Sequence, residues 1–350
     1  MITKIIDDST VSFLVEEPDD LLILRRIIKK QDRIIADTTR VIKQDKDFSR
    51  PDRGERIKIR ISLDVEKIAL DAVFDKLRIH GTITESSNEA VSKGLHHSLL
   101  VNIGDSFNVV KKKWNQFELK LIKTRDEGLG FVLVAIDKGD CGVGKLKGTH
   151  LQLMQNIYSG SSGKQYKTNF NIQTFFENAA KAIETILREN DLIVLFGPGE
   201  TKRQFGNFLQ KEPMAKKHKI EIIDGVDSGG EDGIYTFIKS KSMQQILGQS
   251  KLAKVASILE EVMIKANNKS KKFTMGFEET KRANQFGAVE SLVFSEKIIQ
   301  THDEDEVIEF LNEAESKGVK VYALDSSTDI GLQVSGLGGM VSLLRFPVES

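Results

Sequence analysis

The pattern of apolar residues changes once along the chain, and this change limits the possible folds more than any other feature. In the first third, apolar and polar residues alternate, most clearly in Arg56-Ile57-Lys58-Ile59-Arg60-Ile61. A period of two indicates strands with one buried face. Beyond Gly128 the strands are continuously apolar, as in Phe131–Ile136 and Leu192–Phe196, and they alternate with helix-like segments. The sequence therefore predicts a mostly β domain followed by α/β domains with partly parallel sheets.

The length requires several domains, because 350 residues exceed the roughly 250–300 at which a single core stops growing. We predict domains at residues 1–126, 127–250 and 251–350. The first has one clear helix, Asp19–Lys30, and the second has a helix capped by Asn171. The third alternates helices and strands, from the helix Leu252–Ala266 to the strand Val319–Leu324. The predicted fold class is multidomain α/β.

The charges are balanced overall but not along the chain. There are 51 basic and 51 acidic residues, which excludes a uniformly basic coat for nucleic acid. Residues 1–125 carry +4, residues 126–270 carry +2 and residues 271–350 carry −6. The first third therefore suits RNA, and the last third suits a protein partner through the acidic segment Glu304–Glu315.

Several classes of protein are not expected. The single cysteine, Cys141, cannot form an internal disulfide, and no HExxH or Cys/His pairing indicates zinc. The longest apolar runs are far shorter than the about 20 residues of a membrane span, and no secretion signal is recognisable. We expect a cytoplasmic protein without a membrane partner.

The segment Gly197-Pro198-Gly199-Glu200-Thr201-Lys202 follows a buried strand and superficially resembles a phosphate-binding loop. It lacks the GxxxxGK[ST] spacing, so its backbone cannot form the same cradle. We interpret it as an exposed strand-to-helix turn that suits contact with a partner.

Two basic clusters lie in the first third. Arg50, Arg53 and Arg56 surround a Pro/Gly-containing loop, and Lys111-Lys112-Lys113 precedes Trp114. Such groups can contact phosphates and stack on a base. A merely solvated loop is an equally good interpretation of either cluster taken alone.

Short motifs over the whole chain occur in an order typical of one family. In the first domain they are Asp37-Thr38-Thr39-Arg40-Val41 and Gly94-Leu95-His96-His97-Ser98-Leu99. The second domain has Val226-Asp227-Ser228-Gly229-Gly230-Glu231-Asp232-Gly233, and the third ends in Leu337-Gly338-Gly339-Met340-Val341-Ser342-Leu343-Leu344-Arg345-Phe346-Pro347. Together these segments resemble the Pelota family, the ribosome-rescue paralogues of the archaeal-eukaryotic class I release factors.

The resemblance implies an Sm-like β-rich barrel domain that enters the ribosomal decoding site. It also implies a central α/β domain with a mixed sheet and a C-terminal, ribosomal-protein-like α/β sandwich. The implied partners are the ribosome with its rRNA and mRNA, a GTPase of the elongation-factor 1-alpha type, and an ABC-type ATPase that splits subunits. The chain is expected to act as a monomer.

The resemblance also suggests roles for individual residues. The side chains expected to hold rRNA and mRNA phosphates are Arg40, Arg50, Arg53, Arg56, Lys111, Lys112 and Lys113. The GTPase is expected to contact Pro198, Gly199, Lys202 and Arg203. The family usually has Pro-Gly-Phe at this turn, whereas here Glu200 follows Pro198-Gly199, so the aromatic anchor is missing.

The resemblance is to the family that does not hydrolyse peptidyl-tRNA. Release factors carry a Gly-Gly-Gln tripeptide, which is absent here; the corresponding loop reads Ser161-Ser162-Gly163-Lys164-Gln165. The stop-codon motif Asn-Ile-Lys-Ser is missing from the first domain. The implied function is recognition of stalled ribosomes with an empty A site, followed by subunit dissociation and no-go mRNA surveillance.

An enzymatic alternative stays open, because archaeal members of the family have been assigned a divalent-metal-dependent endoribonuclease activity. Glu17, Asp19 and Asp20 would be the candidate catalytic residues, since carboxylates hold hard cations. The divalent cation would then be the cofactor. Acidic residues before a helix also compensate the helix dipole, which explains the same cluster without catalysis.

Overall fold

A computed structural model describes residues 1–42, 55–71, 76–89, 91–123, 130–160, 171–240, 243, 250–326 and 328–348. The chain forms two compact units. One comprises Met1–Arg125 together with Lys271–Ser350, and the other comprises Asp126–Ser270. None of the described helices has the length and apolar character needed to cross a membrane.

The first unit begins with a seven-stranded antiparallel sheet in the order β1-β2-β7-β3-β4-β5-β6. Its strands are β1 (Ile2–Ile5), β2 (Thr10–Leu14), β3 (Arg33–Ile42), β4 (Glu55–Leu70), β5 (Lys76–Ser86), β6 (His96–Asn102) and β7 (Ser106–Val110). The pairing of β4 with β5 shifts register at Ser62/Leu63 and at Val65/Lys67. Such bulges bend a strand and increase its twist, so the long β4 curls with the sheet.

The alternation of apolar and polar residues that predicts these strands also separates a buried face from an exposed face. Ile59, Ile61 and Leu63 of β4 are buried, whereas the basic residues between Ile57 and Ile61 are exposed. Helix α1 (Pro18–Ile27) buries Leu21, Leu24 and Ile27, and α2 (Gln116–Lys123) buries Leu121 and Ile122. Helix α1 begins one residue before the predicted Asp19–Lys30 and ends three residues earlier, because Ile28 is extended.

The second unit contains the mixed sheet β10-β9-β8-β12-β13. Its strands are β8 (Phe131–Ile136), β9 (Asp140–Lys147), β10 (His150–Leu153), β11 (Ile157–Tyr158), β12 (Leu192–Phe196) and β13 (Ile220–Ile222). Strand β12 is parallel to β8 and β13, whereas β8, β9 and β10 pair antiparallel, and β11 pairs with β9. The helices are α3 (Ile172–Ile186), α4 (Thr201–Leu209), α5 (Gly230–Ile238) and α6 (Lys251–Asn267), with a 3-10 turn at Pro213–Lys216.

Both faces of β8 are covered, which explains its continuous apolar sequence. Val132, Val134 and Ile136 pack in one cluster with residues of α3 and α4. Phe196 and Phe237 stack with ring centroids 4.3 Å apart outside that cluster. The Asn171 side chain accepts a hydrogen bond from Gln173 N at 2.9 Å, which confirms the predicted cap of α3.

The C-terminal part of the first unit is a four-stranded sheet in the order β14-β17-β15-β16. Its strands are β14 (Phe273–Met275), β15 (Val289–Ser295), β16 (Lys320–Leu324) and β17 (Met340–Leu344), and only β15 and β16 are parallel among them. The associated helices are α7 (Phe277–Gln285), α8 (Ile298–Thr301), α9 (Glu304–Ser316) and α10 (Asp329–Gly336).

Helix α9 is the acidic segment that the sequence suggests for a protein partner, and within this unit it contacts α1. Arg25 forms ion pairs with Glu304 and Asp305. Arg26 Nη2 lies 2.7 Å from Glu315 Oε2. Both arginines are buried, so part of the acidic face of α9 is already matched by the chain's own first domain.

Candidate functional site

Strand β4 presents a row of positive charge at the surface. Arg56, Lys58 and Arg60 are all exposed, and they share one face because side chains alternate along a strand. Their spacing of two residues repeats the charge about every 7 Å. Arg56 is a predicted RNA contact, and Lys58 and Arg60, which are not predicted contacts, share its exposed face. The alternating pattern contains the signal that identifies them.

The other predicted RNA contacts differ in their placement. Lys112 and Lys113 follow β7 and are exposed, as a phosphate contact requires. Arg50 and Arg53 lie outside the residues that the structure describes.

Lys111 does not fit its predicted role, because its ammonium group is buried inside the first domain. Lys111 Nζ donates a 2.7 Å hydrogen bond to the Ile27 carbonyl and lies 2.7 Å from Asp32 Oδ2 and 3.3 Å from Glu118 Oε1. Trp114 is also buried, and its indole N–H donates to the Ser9 carbonyl at 2.9 Å. This part of the cluster ties α1, α2 and β7 together and cannot stack on a base.

The structure joins two of the sequence motifs at Arg40, Thr38 and His97. Thr38 Oγ1 lies 3.3 Å from His97 Nε2. Arg40 is half-buried, and its Nη1 is buried without a hydrogen-bond partner among the described residues. Burial, with the nearby Arg40 charge as the smaller cause, lowers the pKa of His97. The sequence alone predicts Arg40 but does not predict its two neighbours.

The Gly197-Pro198-Gly199 turn is held from inside by Lys202. Lys202 Nζ donates to the carbonyls of Gly197 and Gly199 at 2.7 and 3.1 Å, and its side chain is buried. A side chain at Gly197 would clash, because a Cβ would lie 2.3 Å from the Ile136 carbonyl oxygen. The predicted GTPase contact of Lys202 therefore does not fit, since this ammonium group supports the turn from within.

The outer surface of this turn is accessible. Gly199 and Arg203 are exposed and Pro198 is partly exposed. Arg203 pairs with Glu200 at 2.5 Å and with Asp224 at 2.9 Å. Hydrogen bonding by Lys202, and secondarily the Arg203 charge, lowers the pKa of Asp224.

An open cavity of about 810 Å³ lies beside the turn. Its lining includes Pro198 and Gly199 from the turn and Ile172 and Phe175 from α3. The cavity thus has an apolar wall beside this turn.

The candidate nuclease residues serve the start of α1. The Asp20 carboxylate accepts hydrogen bonds from the backbone N–H groups of Glu16 and Glu17 at 2.8 and 2.9 Å, and Asp20 is buried. Glu17 and Asp19 flank it and are partly exposed. In the described ranges, no three His, Cys, Asp or Glu side chains are arranged to hold a metal ion. Because Asp20 is committed to the cap, this donor set does not fit a divalent cation.

Comparison with known proteins assigns the chain to a family. The Pelota N-terminal domain matches residues 2–125, and domain 3 of eRF1 matches residues 252–348. The chain is 63% identical to a protein pelota homolog of Nitrosopumilus maritimus over 100% of both chains. It is 44% identical to the homolog of Cenarchaeum symbiosum over 99% of both.

Two solved structures have the same fold. The Pelota protein of Thermoplasma acidophilum gives a TM-score of 0.65 at 21% identity, with 99% of this chain and 100% of that chain covered. Pelota of Archaeoglobus fulgidus gives 0.51 at 23% identity, with 100% and 99% covered. The predicted fold class is confirmed, and so is the predicted resemblance: the chain belongs to the Pelota family.

Proposed function

We propose that this chain recognises stalled ribosomes with an empty A site and promotes dissociation of their subunits and no-go mRNA surveillance. Its partners in this function are a translational GTPase and an ABC-type recycling ATPase, and it acts as a cytoplasmic monomer without hydrolysing peptidyl-tRNA. The observation that carries the proposal is membership of the Pelota family. The match to a pelota homolog has 63% identity and covers 100% of both chains.

The exposed basic face supports a ribosome contact. Arg56, Lys58 and Arg60 lie in one row on β4 of the Sm-like domain, and none of them is buried. Basic side chains in such a row neutralise phosphates of RNA and release counterions. In this proposal they contact rRNA and mRNA together with Arg50, Arg53, Lys112 and Lys113.

The Gly197-Pro198-Gly199 turn, which lies between β12 and α4, supports contact with the GTPase. Pro198 and Gly199 project from a strand-to-helix junction that Lys202 stiffens from inside. A pre-organised turn loses little entropy on binding. Glu200 and Arg203 add one charge of each sign at its rim, where charges influence the association rate more than the affinity.

The absence of Gly-Gly-Gln from the sequence supports a factor that splits subunits rather than one that releases the peptide. In the loop that corresponds to this tripeptide, Gln165 follows Lys164 instead of a glycine, and lysine lacks glycine's conformational freedom.

A subunit-splitting assay tests the function directly. Stalled ribosomes are incubated with the purified full chain, the cognate GTPase and the ABC-type ATPase, and subunits are separated by sedimentation. Splitting is expected to require this chain, while peptidyl-tRNA remains intact. Equal splitting without the chain would refute the proposal.

A charge variant tests the basic face. Arg56→Ala/Lys58→Ala/Arg60→Ala is expected to weaken ribosome binding at least about tenfold and to reduce the salt dependence of log K by about two, since each lost phosphate contact removes about 0.7–0.9. Lys211→Ala/Lys216→Ala/Lys217→Ala is the matched control, because it removes three exposed charges from the central domain. Equal weakening by both variants would mean that binding follows net charge and not this face.

A further inference from the structure

Strands β3 and β6 meet at one end of the curled sheet, although β4 and β5 lie between them in the sheet order. In a flat sheet three strand spacings would separate them by about 14 Å. The 3.3 Å approach of Thr38 Oγ1 to His97 Nε2 therefore requires the sheet to curl until the inner faces of the two strands meet. Thr38, His97 and the nearby Arg40 thus form a polar group beside the buried Ile59, and we call this group the recess.

The guanidinium of Arg40 belongs to this group, and among the described residues it lacks a full set of acceptors. Arg40 and Thr38 pair directly with Ile57 and Ile59, so they share the inner face with side chains that accept no hydrogen bond. In the described part of the chain, Arg40 Nη1 is buried and unpartnered. A buried charged donor without an acceptor is unfavourable, because it has lost its water and gained no partner in exchange.

Two carboxylates that the structure describes on β3 and β4 do not meet this need. Asp37 is exposed and pairs in register with Arg60, which places it on the opposite face of β3 from Arg40. Glu66 lies 3.3 Å from His96 Nδ1 and accepts from the Thr82 hydroxyl. Adjacent residues of a strand point to opposite faces, so His96 turns away from His97.

His97 completes the recess as a neutral group. On β5 it faces Gly81, which has no side chain, and from β3 it faces the charge of Arg40. Burial and Arg40 both lower the pKa of His97, so the imidazole is uncharged at neutral pH. The recess thus offers one guanidinium, one hydroxyl and one imidazole, which is a donor set suited to phosphate oxygens.

We propose that Arg40, Thr38 and His97 form a binding site for one phosphodiester group of single-stranded RNA at the open end of the barrel. The assignment of RNA as the source of the phosphate rests on the proposed function. The phosphate accepts hydrogen bonds from Arg40 Nη1, which has no partner among the described residues, and from Thr38, and its charge stabilises the protonated imidazole of His97. RNA binding at this site is therefore coupled to proton uptake, and it is tighter at pH 6 than at pH 8.

The test follows the His97 imidazole by NMR in the full chain, with a pH titration in each of three states. These are the free protein, the protein with a short single-stranded RNA, and the protein with inorganic phosphate. RNA is expected to raise the pKa of His97 by at least about half a unit, whereas millimolar inorganic phosphate gives a smaller rise. An oligonucleotide analogue with an uncharged backbone is expected to leave it unchanged.

Variants separate the site from general RNA affinity. Arg40→Gln is expected to abolish the pKa response of His97 and weaken RNA binding about tenfold, and Arg40→Lys is expected to restore only part of both. The control His96→Gln changes an exposed neighbour on the opposite face and is expected to leave both readouts unchanged. The titration of the unmodified chain is decisive by itself if Arg40→Gln unfolds the domain.

Two results would overturn this site. One is RNA that binds the chain while the pKa of His97 stays fixed, which would leave the proposed ribosome function intact. The other is a response to inorganic phosphate as strong as that to RNA, which would indicate a free-anion site. Conversely, a His97 response to RNA in a chain that does not support subunit splitting would retain the site and refute the proposed function.

Discussion

At the scale of single residues, Lys111 and Lys202 depart most from prediction. Both are predicted to contact a partner, but the structure buries their ammonium groups. Lys111 lies between two carboxylates and a carbonyl, and Lys202 donates to two carbonyls of one turn. A buried charge is stable only when its partners replace the lost water. In both places the chain provides those partners, so each lysine supports the structure around it.

Removal of the Lys111 ammonium group should strongly destabilise the first domain. Lys111→Met leaves Asp32 without the ammonium group 2.7 Å away and leaves Glu118 paired only with Lys29 among the described residues, and breaking a buried pair in this way costs about 3–5 kcal/mol. Trp114 is the only tryptophan of the chain and lies in this domain, so its fluorescence during urea denaturation reports the loss. Lys112→Met is the control and should change the free energy of unfolding by less than about 0.5 kcal/mol. Similar values for the two variants would contradict this account of Lys111.

Cys141 offers a probe for the second unit, because it is the only cysteine and is fully buried. Burial, followed by the charges of Asp140 and Asp137, raises the pKa of its thiol far above the usual range. We expect no measurable reaction with a thiol reagent at pH 8 until the unit opens, and rapid reaction in denaturant. Prompt labelling of the native chain would show that the thiol is accessible.

At the scale of elements, three aspartates crowd the junction between β9 and the start of α5. Asp137 accepts hydrogen bonds from the backbone N–H groups of Gly139 and Asp140 at 2.5 and 2.8 Å. Burial, followed by the charges of Asp137 and Asp232, raises the pKa of Asp140. The close packing leaves no room for a side chain at Gly230, where a Cβ would lie 2.5 Å from Asp140 Oδ2.

This crowding predicts a pH-dependent gain from Asp140→Asn. Because the folded-state pKa of Asp140 is raised above its usual value of 3.8, its contribution to stability is present at low pH and is lost as pH rises through the folded pKa. The variant should therefore have a higher urea midpoint at pH 7, measured by circular dichroism, and the gain should shrink towards pH 3.5. Asp227→Asn is the exposed control, for which no comparable gain is expected. A gain that is constant across this pH range would argue against repulsion as the cause.

At the scale of the whole chain, the opposite charges of its two ends meet within the first unit. Helix α1 lies in the third that carries +4, and α9 lies in the third that carries −6. Arg26 donates to Asn312 Oδ1 at 2.8 Å and to Glu315 Oε2 at 2.7 Å, and the Asn312 amide donates back to the Arg26 carbonyl at 3.2 Å. The difference in net charge between the two ends of the chain suggests external partners. Contacts within the chain already compensate part of these charges.

A double-mutant cycle should detect this contact between α1 and α9. Arg26→Ala and Glu315→Ala are combined, and their coupling energy in urea denaturation should be about 1–3 kcal/mol, because Arg26 is buried and the pair is largely shielded from water. The pair Lys265 and Glu261, one turn apart on α6 and more exposed as a pair than Arg26 and Glu315, is the control, and its coupling should be below about 0.5 kcal/mol. A coupling energy near zero for Arg26 and Glu315 would mean that this ion pair does not hold the two helices together in solution.

Elements with a strong local signal could be predicted from the sequence almost to the residue. Phe131–Ile136 and Leu192–Phe196 form strands with the predicted bounds, because a short apolar run that ends in turn residues has few other conformations available. The end of α1 was predicted less well, since Ile28 is apolar and fits helical spacing while its backbone is extended. The candidate RNA face was found only at Arg56, although the same alternation places Lys58 and Arg60 beside it.

The faces of the strands and the family could be predicted from the sequence alone, because periodicity and motifs are properties of neighbouring residues. Which charges are available to a partner depends instead on the tertiary structure. Lys111 and Lys112 are adjacent in the chain, yet one is buried and the other exposed. That difference depends on Asp32 and Ile27, which lie about eighty residues away and reach Lys111 only when the sheet and α1 have packed. The meeting of Thr38 with His97 has the same cause, since it exists only after four strands have curled into one sheet.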